Sequence, residues 1–255
     1  MTPPEPKLEI VADGPALAHR LASFFAVAAT EAIARHGRFD VALAGGSTPK
    51  AAYELLASPP HADHVDWDRV RFFFGDERCV PPTDDESNYK TAATRLFEPL
   101  RIRAAAVFRM RGEDEPTTAA RAYASVLRRE LEKGLGEIPS FDLIMLGMGP
   151  DGHTASLFPG SDPYTDDAEL VRAPYVPKFA TYRITLTPRA INAARRVIVA
   201  TAGDEKAAAL AAVIDGTILP ETYPIVVVRP DPGQVTWIVD TTAASQLASR
   251  REPNT

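Results

Sequence analysis

Apolar residues follow two rhythms along this chain. Short, mostly apolar runs occur at Leu8 to Val11, Phe39 to Ala44, Val70 to Phe74, Leu143 to Leu146, Arg196 to Thr201, Ile225 to Val228 and Val235 to Val239. A run apolar on both faces is buried on both faces, as inside a parallel sheet. Leu170 to Val176 and Tyr182 to Thr187 alternate instead, as half-buried strands do. Between the runs the spacing becomes helical. Leu17, Leu21, Phe24, Ala28 and Ala32 follow a start at Asp13-Gly14-Pro15 and stop at Gly37. Ala120, Tyr123, Ala124, Leu127 and Leu131 line one face of a helix from Thr117 to Lys133, ended by Gly134 and Gly136. Further helices are predicted after Gly45-Gly-Ser-Thr-Pro49, after Asp84 to Lys90 as far as Phe97, briefly from Pro188, and over Ala207 to Ile214. Strands alternating with helices predict a three-layer α/β/α fold around a mostly parallel sheet. No linker divides residues 1–255, so the expectation is a single domain, with room for a small subdomain from the later strands.

Composition narrows the classes. The 255 residues are 45% hydrophobic and 24% charged, an ordinary globular balance. A formal charge of -6 gives no general nucleic-acid footprint. No apolar run is read as approaching a membrane span, and Met-Thr-Pro-Pro-Glu-Pro has no basic region followed by an apolar core. Cys79 is the only cysteine, so no intrachain disulfide forms. A cytoplasmic enzyme, monomeric or a small homo-oligomer, is the expectation.

Candidate chemistry gathers at the carboxyl ends of the apolar runs, where open α/β sheets keep their ligand crevice. Leu143 to Leu146 runs into Gly147-Met-Gly149-Pro-Asp151-Gly-His153. The glycines let backbone turn tightly, Pro150 ends the ladder, and Asp151 and His153 form a candidate acid/base pair. Gly147-x-Gly149-x-x-Gly152 formally matches a dinucleotide fingerprint, with Glu169 near the acidic position. The fingerprint should open a long helix, however, and Phe158-Pro-Gly-Ser-Asp-Pro163 breaks the chain first. Phe39 to Ala44 runs into Gly45, Gly46, Ser47, Thr48 and Pro49. Pro49 suits a first helical position and Ser47 or Thr48 an N-cap, which makes an anion site for phosphate. The Gly-Lys-Ser/Thr ending of a Walker loop is absent. The second glycine there points to ligand approach. Val70 to Phe74 leads to Asp76, Glu77 and Arg78, charges flanked by apolar residues and so partly enclosed. Gly203-Asp-Glu-Lys206 sets a cation in the first turn of a helix, where the dipole disfavours it and a ligand explains it.

Four blocks in order resemble the 6-phosphogluconolactonases over nearly the whole chain. They are Ala44-Gly-Gly-Ser-Thr-Pro49; Gly75-Asp-Glu-Arg78-x-Val-Pro81 with Ser87-Asn88; Gly147 through Asp151-Gly-His-Thr-Ala-Ser-Leu-Phe-Pro159; and Gly203-x-x-Lys206. The third is the specific one. The resemblance implies the fold of glucosamine-6-phosphate deaminase and, as activity, hydrolysis of 6-phosphoglucono-1,5-lactone to 6-phosphogluconate. The deaminases carry a glutamate in the third block, for ring opening, where this chain has Phe158. The rival readings are therefore that deaminase, or a sugar-phosphate sensor without catalysis. On the lactonase reading His153 is the base that activates water. Asp151 or Asp76 orients it or a sugar hydroxyl, and the Gly45–Thr48 amides, Arg78, Arg183 and Lys206 hold phosphate and carbonyl oxygen. An imidazole suits a base working at neutral pH. An ester needs no cofactor, and no His/Cys cluster has metal-ligand spacing, so neither cofactor nor metal is expected. The expected partner is a small sugar-phosphate lactone.

Overall fold

The computed structural model describes residues 6–133, 138–161, 168–216 and 218–248. Gly134 and Gly136, read as a helix stop, Asp162 and Pro163, read as part of a chain break, and the first five residues lie outside them. In chain order the elements are β1 (Lys7–Val11), α1 (Gly14–His36), β2 (Phe39–Leu43), α2 (Ser47–Leu56), α3 (His61–His64), β3 (Val70–Phe74), β4 (Asp76–Arg78), α4 (Asn88–Ala92) and α5 (Pro116–Glu130). Then come β5 (Leu143–Gly147), β6 (Val171–Arg172), β7 (Tyr175–Val176), β8 (Thr181–Leu186), α6 (Pro188–Asn192), β9 (Arg196–Thr201), α7 (Ala207–Asp215) and β10 (Gln234–Asp240).

Six parallel strands lie in the order β1-β10-β9-β5-β2-β3, with helices on both sides of the sheet. Phe72 and Phe73 show how neighbouring residues of one strand serve opposite faces. Phe72 packs against Trp67 and Phe97, while Phe73 stacks on Phe108 at 4.7 Å and meets Phe141. From β2 the chain moves outward to β3; from β5 it moves the opposite way, to β9 and β10. The crevice between the carboxyl ends of β2 and β5 is thus a topological switch point.

The helix signals hold at α1. Asp13 accepts from the Ala16 N–H at 2.8 Å, and Gly37 closes the helix at φ 85°. Contrary to the expectation for membrane spans, α1 is long and apolar enough to qualify by length and composition. Its apolar face, with Leu17, Leu21, Phe25 and Ala29 buried, belongs to the protein core instead. Helix α5 starts on Pro116 behind a Glu115 cap and ends at Glu130, three residues before the predicted last residue, Lys133.

A second, antiparallel sheet has the order β4-β8-β6, with β7 also paired to β8. Gly75 joins the two sheets. Its N–H donates to Leu43 O at 2.9 Å, and its carbonyl accepts from the Leu186 N–H at 2.8 Å. The predicted strand from Leu170 to Val176 is split at Ala173-Pro174, because proline has no N–H for the ladder. The predicted strand from Ile225 to Val228 is a 3-10 turn, Pro224–Val227. Both edges of β10 are already paired, with β1 and β9, and the Ile225 N–H donates to Gly152 O at 3.0 Å. Four β-branched and apolar residues in a row lose here to tertiary context.

Candidate active site

The crevice at the switch point is a cleft of about 300 Å3. Gly45, Gly46, Ser47 and Thr48 line it from the β2 side, Gly147, Gly149 and His153 from the β5 side, and Asp76, Arg78, Asn88 and Lys206 complete its polar wall.

The first of these segments turns from strand to helix with Gly46, not Ser47 or Thr48, as the cap residue. Gly46 sits at φ 104°, a conformation open to glycine, and α2 begins at Ser47. The N–H groups of the first helical turn have no partner within the helix, and Gly46, Ser47 and Thr48 of this turn line the cleft. Tyr53, fully buried on α2, donates its hydroxyl to Ala44 O at 2.7 Å and pins the turn; burial raises its pKa. Gly45 also has a neighbour that requires it. A Cβ at Gly45 would lie 2.0 Å from Asn88 Oδ1, so its bareness makes room for Asn88.

Asn88 in turn donates through Nδ2 to the Asp76 carbonyl at 2.9 Å and to Asp76 Oδ1 at 3.2 Å. Ser156 donates to Asp76 Oδ2 at 2.7 Å. Both carboxylate oxygens of Asp76 are therefore fixed while the residue still lines the cleft. Its neighbour Glu77 is buried and works on the fold. Its Oε1 accepts from the N–H groups of Arg78 and Asn88, and its Oε2 from the Tyr89 N–H and the Ser87 hydroxyl. Burial raises the Glu77 pKa against the pull of those N–H groups.

After β5 the Gly149 N–H donates to His153 O at 2.9 Å and the Gly152 N–H to Gly149 O at 3.0 Å, closing a tight loop. A Cβ at Gly149 would lie 2.1 Å from the His153 ring, and one at Gly152 2.4 Å from Tyr223. The imidazole lies in the space that the bare Gly149 leaves open. Asp151 Oδ1 is 2.5 Å from His153 Nδ1, which leaves Nε2 as the ring nitrogen without a protein partner among the described residues. Lys178 Nζ donates to Asp151 Oδ2 at 2.9 Å. Burial raises the Asp151 pKa, but the hydrogen bonds from Lys178 and His153 outweigh it and hold the carboxyl down at about 2. On the other side of the ring Phe158 stacks at 4.2 Å between centroids.

Of the residues the sequence singled out, Gly45, Gly46, Ser47, Thr48, Asp76, Arg78, His153 and Lys206 share the cleft. Asp151, rather than Asp76, touches the imidazole. Arg183 is not among the lining residues. Antiparallel pairing of β8 with β4 sets it opposite Arg78, and its guanidinium packs over Phe179 at 5.4 Å. Burial, and then the charge of Arg78, lower its pKa. Lys206 ends a 3-10 turn, Asp204–Lys206, just before α7, rather than standing inside the helix. Asn88, Ser156 and Lys178 were missed as site residues. Asn88 and Ser156 belonged to the quoted blocks, so their neighbourhood was a signal; Lys178 carried none. Among the described residues no group of three or more His, Cys, Asp or Glu is placed to hold a metal ion.

A parallel α/β sheet whose switch point brings a helix N-terminus, a cation and a carboxylate-bound imidazole into one cleft defines an enzyme of the doubly wound class. The family model described as glucosamine-6-phosphate isomerases/6-phosphogluconolactonase matches residues 12–237, and the chain belongs to that family. It is 43% identical to 6-phosphogluconolactonase of Treponema pallidum over 173 residues, 68% of this chain and 71% of that one. It is 35% identical to 6-phosphogluconolactonase of Nostoc sp. over 242 residues, 94% of this chain and 98% of that one. Among solved structures, 6-phosphogluconolactonase from Trypanosoma cruzi superposes with a TM-score of 0.86 at 32% identity, covering 97% of this chain and 98% of the other. A monomeric glucosamine-6-phosphate deaminase shares the fold, with a TM-score of 0.78 at 20% identity, covering 94% and 99%.

Proposed function

We propose that this chain hydrolyses 6-phosphoglucono-1,5-lactone to 6-phosphogluconate, the second step of the oxidative pentose phosphate pathway, in the cytoplasm. The observation that carries the reading is the held imidazole. His153 lines the cleft, and with Asp151 engaging Nδ1 it is Nε2 that serves as the proton acceptor. His153 takes a proton from water as the water oxygen bonds to the lactone carbonyl carbon. The tetrahedral intermediate collapses by breaking the bond to the ring oxygen, and the imidazolium returns its proton there. The ring opens to a hydroxyl and a carboxylic acid, and the acid ionises to the carboxylate product. Arg78, with the second guanidinium of Arg183 behind it, faces the developing oxyanion. The first-turn amides of α2 with Lys206 hold the phosphate, and Asp76, fixed by Asn88 and Ser156, accepts from sugar hydroxyls.

Phe158 supports this reading over the deaminase. The family resemblance gives the deaminases a glutamate at this position, and here an aromatic ring lies flat on the imidazole instead. A dry stacking face holds the base but offers no proton. His153→Ala tests the assignment: kcat should fall by roughly 10²–10⁴, the range for a general base, with the fold intact by circular dichroism. Near-normal turnover by a folded variant would remove His153 from the mechanism.

A further inference from the structure

The hairpin formed by β7 and β8 carries three large aromatic residues, Tyr175, Phe179 and Tyr182, each 46% exposed. Side chains held half in water are not there to fill a core. At the hairpin tip two inward contacts stand out instead. Lys178 bonds Asp151 Oδ2 at 2.9 Å, and Phe179 meets Phe158 edge-on at 5.5 Å. Asp151 and Phe158 are the two groups that hold the His153 ring, one at its edge and one on its face. The tip therefore reaches both holders of the imidazole, and it does so from a separate sheet.

We propose that this hairpin is a positioning element for the base, and that Lys178 is its polar contact, fixing the Asp151 carboxylate and sharing its charge with His153. The proposal rests on the reading of His153 as the base. Lys178 does not line the cleft, so it is a positioning residue and not a catalytic one. With Oδ2 tied to Lys178, Oδ1 points at Nδ1 and cannot swing away. The ammonium also offsets part of the negative charge that favours the imidazolium form. Among the described residues, the charged groups that line the cleft with His153 are Asp76 and Arg78 from β4 and Lys206 from the turn before α7, and Arg183 packs over Phe179. Asp76 is engaged by Asn88 and Ser156. Among the described residues Lys178 is the one Lys or Arg within hydrogen-bonding distance of Asp151. The low pKa of Asp151 agrees with this sharing, since Lys178 is the first of the hydrogen bonds that overcome burial.

The test follows the titration of the His153 ring by NMR in the free enzyme, beside the pH profile of kcat/KM. The chain has five histidines, and the signal missing from His153→Ala identifies the ring. Removing a solvent-screened charge at about 6 Å displaces a titration by about half a pH unit. Lys178→Met should raise the ring's midpoint by that amount and carry the acid limb of kcat/KM with it, while KM stays near normal. Lys178→Arg should restore both, which a merely structural loss would not allow. An unmoved midpoint, or an arginine variant no better than methionine, overturns the positioning role and leaves the base assignment standing. A midpoint that moves while the kcat/KM limb stays fixed overturns the base assignment, and the positioning role falls with it.

Discussion

Gly149→Ala should disable the enzyme without replacing a side chain that bears chemistry. Gly149 is not among the residues with positive φ, so alanine adopts its backbone without strain. The added methyl would lie 2.1 Å from both Cε1 and Nδ1 of His153 and 2.8 Å from Asp151 Oδ1. Ordinary van der Waals contact begins near 3.4 Å, so the ring must retreat by more than 1 Å. That retreat breaks the 2.5 Å contact with Asp151 or lifts the ring from Phe158. A misplacement of about 1 Å costs roughly 10²-fold in rate. Steady-state kinetics should show kcat down by about that factor. KM should change little, because the helix N-terminus and Lys206 lie on other segments. The loss should not exceed that of His153→Ala. A folded Gly149→Ala enzyme with kcat within twofold of normal would refute the claim that this glycine sets the position of the base.

Lys206→Ala should lower kcat/KM for the phosphorylated lactone by roughly tenfold to a hundredfold, the worth of one charged hydrogen bond, and barely affect unphosphorylated glucono-1,5-lactone. Equal losses on both substrates would move Lys206 away from the phosphate. Glu77→Gln should destabilise the fold by about 1–3 kcal/mol in urea titrations at neutral pH, because two donors converge on each carboxylate oxygen and the amide nitrogen that replaces one oxygen cannot accept from the pair facing it. Equal stability would mean that the donors facing the new amide nitrogen find other acceptors. The pH dependence has a definite sign. The folded-state pKa of Glu77 is raised above its ordinary 4.5, so wild type loses stability as pH rises from there through the raised value, and the glutamine variant lacks that loss. Exhaustive chelation should leave lactonase activity unchanged; loss restored by a single added metal would overturn the mechanism.

The sheet was legible because its strands are apolar on both faces, and the crevice because glycine follows both β2 and β5. Period-two and period-3.6 patterns fail where a partner decides the outcome. Ile225 to Val228 has strand composition but no free ladder to join, and Pro174 divides a strand whose alternation continues through it. At the site, residue types pointed to His153, Asp151 and the glycine turn. They did not say why each glycine is there. Gly45 yields to Asn88 and Gly149 to the imidazole, and both neighbours are fixed by tertiary contacts. Lys178 is 27 residues from Asp151 along the chain and sits in no motif, so only the pairing of β7 with β8 brings it to the carboxylate. The position of Arg183 was hidden for the same reason. Its strand was predicted, but its register against Arg78 was not.

The base His153, held by Asp151, has Phe158 on its face where the deaminases carry a glutamate, and lactone hydrolysis is the activity it is assigned. The most direct test is a paired assay on one preparation. Freshly generated 6-phosphogluconolactone is followed by acid release against its spontaneous hydrolysis, and glucosamine 6-phosphate is followed by ammonia release. Lactone hydrolysis far above the spontaneous rate, lost in His153→Ala, together with no ammonia, is the predicted result. Ammonia release without acceleration of lactone hydrolysis would contradict it.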